Sequence, residues 1–355
     1  MSSYIIYLLR KMTLGFIYVI VPLGLVFFAL ELYFIYQKKT KVTLDQTALN
    51  ISLGFFDRLV GLYLTEKSLT ILSGALSYSV LDVFPSNLWV FILTFIAIDF
   101  VWYVFHVLGH RISLVWGMHL VHHQSDEYNL SVNFALSPLG FLMRTFMYSS
   151  LIIIGFPMEF VIMSIYLNAF YQFYLHTEFI TSIPFLEKIF VMPDHHKVHH
   201  GSNSEYLDRN YGGVFIIWDK IFKTYAPLNK KPQYGITTPI PHKDFMNIQL
   251  FYYKKLIDNF RMFGLKRGVQ LLFLGPEHQT PDIPTSIPIK SKITLSKVII
   301  GIVIYVSSYL MLVRSTEFLT MVIICIVNLV AILIVNGISI EQTFHRDIEQ
   351  IKKRF

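Results

Sequence analysis

The sequence predicts an all-α, polytopic membrane bundle with a histidine-rich cap on its cytoplasmic side, on three observations. Of 355 residues, 54% are hydrophobic and 15% charged, against roughly a quarter charged in an ordinary soluble domain. Several uncharged runs approach the about 20 residues that a helix needs to cross a bilayer. Ten of the 13 histidines fall between His106 and His200. The single cysteine, Cys325, excludes an intrachain disulfide. The formal charge of +7 lies on residues set between apolar runs, which suits the anionic leaflet of a membrane and not a nucleic acid.

In chain order, Met12 to Leu30 reads as a first span followed by Lys38, Lys39 and Lys41, with no small-residue cleavage site after it. Ile51 to Val83 is apolar but broken by Asp57, Arg58, Glu66 and Lys67, so it is the weakest span. Asn87 to Leu108 is a strong one, with Asp99 as its single acid, and it runs straight into the first histidines. Leu136 to Ile154 and Met158 to Leu175 are joined only by Gly155-Phe156-Pro157, which predicts a helical hairpin. Val298 to Val313 and Phe318 to Ile340 form a second hairpin, after a proline-rich linker from Pro276 to Pro288. Lysine and arginine mark cytoplasmic loops. Half of the basic residues lie between Thr177 and Lys292, and the chain ends near Lys352-Lys353-Arg354, so the clustered histidines are expected on the cytoplasmic face.

Helical spacing groups the imidazoles. His106 and His110 are four apart, and His119, His122 and His123 again share one helix face. His195 precedes His196, His199 and His200, which repeat the HxxHH spacing, and His176 closes the fifth span one turn after Gln172. So many ionisable rings in an apolar protein carry a desolvation and repulsion penalty, which a metal removes by binding one nitrogen of each neutral ring. About nine rings exceed one coordination sphere, so two metals are the economical count; imidazole alone does not separate iron, zinc and copper. No HExxH of a zinc hydrolase is present. A haem would leave most rings unexplained.

HVLGH (His106 to His110), WGMHLVHH (Trp116 to His123) and PDHHKVHH (Pro193 to His200) resemble the three histidine boxes of the fatty acid hydroxylase and sterol desaturase superfamily of integral-membrane di-iron enzymes. EYNLS (from Glu127), FYLHTEFI (from Phe173), HHGSN (from His199), DRNYGGVFIIWDKIF (from Asp208) and YGITTPI (from Tyr234) are most similar to its branch acting on alkylglycerol ether lipids. The resemblance implies metal ligands at His106, His110, His119, His122, His123, His176, His195, His196, His199 and His200, with His195 either a tenth ligand or a neighbour of one. Asp99, Asn129, Asp194 and Asp208 are candidates for supporting that set, with Asp126, Glu127, Glu178 and Asp219 as weaker ones.

By the same resemblance the protein is an oxidoreductase in which two irons and O2 hydroxylate a lipid C–H, which the alkylglycerol-like motifs imply is the one beside an ether oxygen. A sterol or fatty-acyl desaturase or hydroxylase, including the ornithine-lipid type, is the alternative on the same centre, and a non-catalytic metal-binding membrane protein the lesser one. No G-x-G-x-x-G or fused electron-transfer segment is present, so electrons come from a separate donor or a small reductant such as tetrahydrobiopterin. This divides the chain into anchor helices at 1–84, a hydroxylase-like domain at 85–275, and a linker, hairpin and basic tail at 276–355.

Overall fold

A computed structural model describes residues 83–237, 240 and 243–279, together with parts of 23–61 and of 320–331. The start of the first predicted span, most of the second, Cys325, the proline-rich linker from 280 and nearly all of the last hairpin and tail lie outside the described residues. The described residues are mainly helical, in the order α1 (Leu88–Arg111), α2 (Ser113–His123), α3 (Pro138–Ile154), α4 (Met158–Leu175), α5 (Pro193–His199), α6 (Ile217–Ile221) and α7 (Phe245–Phe273). A single antiparallel bridge, Phe190 to Phe215, takes the place of a sheet among them.

Among the described residues, α1 alone is long and apolar enough to cross a membrane. Its start is set by Asn87, whose side chain accepts the Val90 N–H, a standard N-cap. The predicted hairpin is present: α3 ends at Gly155 with φ 110 and α4 begins three residues later. Only glycine adopts that left-handed conformation without strain, which is why it ends the helix there. α1 lies along α4 and α3, burying Val90, Ile98, Tyr148, Leu151, Ile152, Phe156 and Val161 in one apolar cluster.

A second cluster joins α2 to α7 and includes Leu49 and Leu53 from helical residues 45–58. That segment is also tied by polar bonds. The Gln124 amide donates to Asn50 Oδ1, and Asn50 Nδ2 donates to Ser131 Oγ. Residues 45–58, expected as part of a separate anchor, thus pack into the same core as the histidine helix. The ends of α1 and α4, all of α2 and α5, and the loop 201–216 then converge on one end of the α1, α3, α4 bundle.

Candidate metal centre

Nine of the ten predicted histidines come together in two groups. His106, His110, His119, His123 and His199 form one, and His122, His176, His196 and His200 the other, with the available ring nitrogens in each group within 4.8 Å of one another. All nine are buried. The consequence of the HxxHH spacing is visible locally: α2 sends His119 and His123 to the first group and His122 to the second, and α5 with its C-cap splits His199 from His196 and His200 in the same way. Each HxxHH helix therefore serves both groups. Gly109 permits the close contact of α1 and α2, since a Cβ there would stand 3.2 Å from His119 Cγ.

The ring orientations are set from behind. His106 Nδ1 donates to the Tyr211 carbonyl at 2.7 Å, His176 Nδ1 to that of Gln172 at 2.8 Å, and His199 Nδ1 to that of Arg209 at 2.9 Å. A carbonyl can only accept, so these rings carry their proton on Nδ1 and present a lone pair at Nε2. In the second group His176 Nε2 faces His122 Nε2 at 3.2 Å and His196 Nε2 at 3.0 Å. In the first, His123 Nε2 lies 3.0 to 3.2 Å from the Nε2 atoms of His119, His199 and His110. One N–H cannot satisfy three such neighbours, and the buried Nε2 atoms of His106 and His200 have no partner at all. Lone pairs converging this way repel unless a cation lies between them. Nitrogens at about 2.1 Å from a metal and 90 to 110° apart stand about 3.0 to 3.4 Å from one another, which is the spacing observed. The donor set fits a metal in each group.

Burial first, and neighbouring imidazoles second, hold His119, His122, His123, His196 and His200 well below the usual histidine range. Burial also brings His176 down to about 4. Neutral rings are the form a metal needs.

His195 is not in either group. Its Nδ1 accepts the Met192 N–H at 3.2 Å, closing the first turn of α5, and its ring lies against Tyr225. Register alone does not exclude it, since His195 and His199 are four apart; its ring is turned instead to the Met192 N–H and Tyr225 at the start of the helix.

The acids divide sharply. Asp208 Oδ1 is 3.5 Å from His110 Nδ1, and Oδ2 is 3.1 Å from Arg111. Asp99 touches no histidine; it accepts from Asn168 Nδ2, the N–H groups of Val214 and Phe215, and Trp218 Nε1 at 2.7 to 3.0 Å. Asp194 accepts the Ser182 N–H and pairs with Lys197 at 2.9 Å. Asn129 caps the 3-10 turn Leu130–Phe134, accepting from Ser131 N and Oγ. Asp126 pairs with Lys243, and Glu127 accepts the Thr43 N–H. The exposed Glu178 offers its carbonyl to Lys197 Nζ.

Asp219, a weaker candidate from the sequence, and Asn210 and Tyr128, which the sequence does not single out, also contribute. Asp219 accepts the N–H groups of Tyr211 and Gly212 at 2.7 and 2.8 Å, fixing the loop whose Tyr211 carbonyl orients His106. Asn210, at φ 55, bonds the His195 and Ala226 carbonyls and accepts the Ala226 N–H. Tyr128 stacks on His176 at 5.9 Å and donates to the Leu175 carbonyl. Asp208 and Asn210 both sit in the left-handed backbone region that aspartate and asparagine tolerate.

Residues 91–224 match the family model of the fatty acid hydroxylases. The chain is 36% identical over 189 residues to alkylglycerol monooxygenase of Danio rerio, covering 53% of this chain and 42% of that one. It is 32% identical over 256 residues to alkylglycerol monooxygenase of Homo sapiens, covering 72% and 57%. The Xenopus tropicalis enzyme of the same name is 33% identical over 207 residues, covering 56% and 45%. The chain spans about half the length of these curated relatives. No solved structure matches it. The resemblance carried by the histidine boxes is confirmed: the chain contains a fatty acid hydroxylase domain and is homologous to the alkylglycerol monooxygenases.

Proposed function

We propose that this protein is a multi-pass membrane monooxygenase that hydroxylates a lipid C–H with O2 at a pair of irons on the cytoplasmic side, and that its substrate is an alkylglycerol lipid attacked beside the ether oxygen. The observation that carries this reading is the convergence of nine buried Nε2-bearing rings in two adjoining groups, within a chain homologous to enzymes named for that activity.

His106, His110, His119, His123 and His199 would hold one iron, and His122, His176, His196 and His200 the other. When bound, the irons supply reductive activation of O2 so that one oxygen atom enters the substrate and the other leaves as water. The overall balance is RH + O2 + 2 e⁻ + 2 H⁺ → ROH + H2O, with the electrons from a separate donor, for which tetrahydrobiopterin is the small-molecule choice. At a carbon beside an ether oxygen the alcohol is a hemiacetal, which breaks its C–O bond to give a fatty aldehyde and the free glycerol hydroxyl.

The chain's own residues set the stage for this chemistry. The Tyr211, Gln172 and Arg209 carbonyls hold three rings in the tautomer that offers Nε2. Asp208 draws on the His110 Nδ1 proton and makes that ring a stronger donor. The loop 211–215, pinned by Asp99 and Asp219, covers the rings and keeps bulk water out.

The test is purified full-length protein in lipid discs, reconstituted with ferrous iron and tetrahydrobiopterin and given 1-O-alkylglycerol, with fatty aldehyde as the readout. Aldehyde formed by wild type and absent in His196→Ala supports the reading. Iron-loaded protein that instead hydroxylates or desaturates sterols or acyl chains moves the substrate assignment to the alternative. Protein that retains no iron overturns the centre itself.

A further inference from the structure

The first part of α7 buries Phe245, Ile248, Tyr252 and Leu256 in the core it shares with α2. Beyond it, every residue from Arg261 to Arg267 is exposed, in the order Arg-Met-Phe-Gly-Leu-Lys-Arg. Gly264 at the centre has φ 76 and ψ 175, which breaks the helix, and a Cβ there would meet nothing within 4 Å. On the far side of the break Gly268 abuts the Phe260 ring, so the chain bends back on itself and the seven residues form a protruding tip.

Composition makes this tip unusual. Met262, Phe263 and Leu265 are 60%, 46% and 76% exposed, three large apolar side chains side by side where a solvated turn has polar ones. Arg261, Lys266 and Arg267 flank them with no acid inside the tip. Asp258 takes one contact from Arg261 at 3.1 Å, and Gln270 one from Arg267 at 3.4 Å. Position adds the second argument. The Leu274 carbonyl accepts the Ser113 N–H at 2.9 Å, and Gln279 Nε2 donates to Ser113 Oγ at 2.8 Å. Ser113 is the second residue after the end of α1, the helix long enough to span the bilayer. Ten helical residues cover about 15 Å, so the tip is within that reach of the cap end of α1.

Apolar side chains ringed by cations, held next to a membrane-spanning helix, match an interfacial segment whose apolar part enters the headgroup boundary. Each lysine or arginine brought to an anionic leaflet favours attachment by roughly fivefold. We propose that residues 261–267 are an interfacial anchor: Met262, Phe263 and Leu265 enter the headgroup boundary of an anionic membrane, and Arg261, Lys266 and Arg267 meet its lipid phosphates. The anchor goes beyond the reading of the histidine centre and depends only on α1 crossing the bilayer. Since α7 packs on α2, which carries His119, His122 and His123, the anchor fixes the depth of the centre relative to the lipid.

The single native cysteine makes the test direct. In a Cys325→Ser background, Leu265→Cys or Ser204→Cys is labelled with bimane in full-length protein, one copy per lipid disc. The discs are either pure phosphatidylcholine or phosphatidylcholine with phosphatidylserine. The expected result is that the label at 265 is quenched by nitroxide lipids and shielded several-fold from aqueous iodide relative to 204, more so with phosphatidylserine. Lys266→Glu with Arg267→Glu should abolish that dependence on anionic lipid. Iodide access at 265 equal to that at 204 overturns the proposal, as does shielding that ignores lipid charge. Shielding that appears only when two copies share a disc would assign the tip to a second copy and overturns it as well.

Discussion

Asp208 is the one carboxylate, among the described residues, within ion-pair distance of a clustered ring: its Oδ1 lies 3.5 Å from His110 Nδ1. It does so from a left-handed backbone, φ 61, a conformation that is uncommon for a residue other than glycine. The same carboxylate holds Arg111 at 3.1 Å. The group of five histidines is thus backed by an acid, whereas His176 in the group of four is backed by a carbonyl.

Asp208→Asn keeps the shape and the tolerance of left-handed backbone but removes the charge behind His110. We expect metal affinity to fall about 10- to 100-fold, measured by competition with a chelator of known affinity. Unchanged affinity would show that the His110 contact is incidental.

His195→Ala and His196→Ala separate a proposed ligand from its neighbour. The first removes only the acceptor of the Met192 N–H and the contact with Tyr225, and should retain full metal at a stability loss of about 1 kcal/mol. The second should lose metal. Metal analysis of both variants decides, and a metal-poor His195→Ala protein would restore His195 as a ligand.

Asp99→Leu strands two backbone N–H groups and the Trp218 indole N–H in a buried place, where each unmet donor costs about 1 to 3 kcal/mol. Thermal unfolding of the disc-embedded protein should drop well below wild type, with faster proteolysis in 211–218. Asp99→Asn, which keeps one carbonyl acceptor, should fall between the two.

Gly109→Val would push branched carbons into the space where a Cβ already stands 3.2 Å from His119 Cγ. The helices α1 and α2 must then part, and overpacking of this kind costs about 1 to 3 kcal/mol. Metal loss from the group of five, with the protein still folded by circular dichroism, is the expected result.

Acidification should release metal and destabilise the fold together. The buried rings have folded pKa values below the unfolded 6.5, about 4 for His176 and well below 6.5 for the others outside α1. The unfolded chain therefore takes up more protons than the folded one as pH falls through 6.5. Stability is complete above 6.5 and declines towards pH 4, and metal binding declines over the same window because protons compete for the same nitrogens. Metal retention and melting temperature measured from pH 7.5 to 4.5 check both; a flat profile would contradict neutral buried rings.

The legible part of the site was the part carried by local periodicity. Spacings of three and four residues grouped the rings of α1, α2 and α5, and Gly155-Phe156-Pro157 marked the turn between α3 and α4. The contribution of Asp219 was hidden because its partners, Tyr211 and Gly212, are bound through backbone N–H groups that no residue type announces. Asp99 was noticed as an acid in a span, yet three of its four partners, Val214, Phe215 and Trp218, lie more than a hundred residues later and the fourth, Asn168, on another helix.

By itself the amino-acid order determined that this chain is apolar and helical, and that its histidines fall on a few helix faces, because burial tendency and helical period are properties of short stretches. Only the tertiary structure decided how nine rings divide into five and four, since one HxxHH helix supplies both groups and the assignment depends on which neighbour it meets. It also decided that His195 faces away and that Asp208, not Asp99 or Asp194, stands behind a ring. Hydrogen bonds between distant backbone carbonyls and ring nitrogens exist only once the chain has folded, and those bonds set the direction in which each imidazole offers its lone pair.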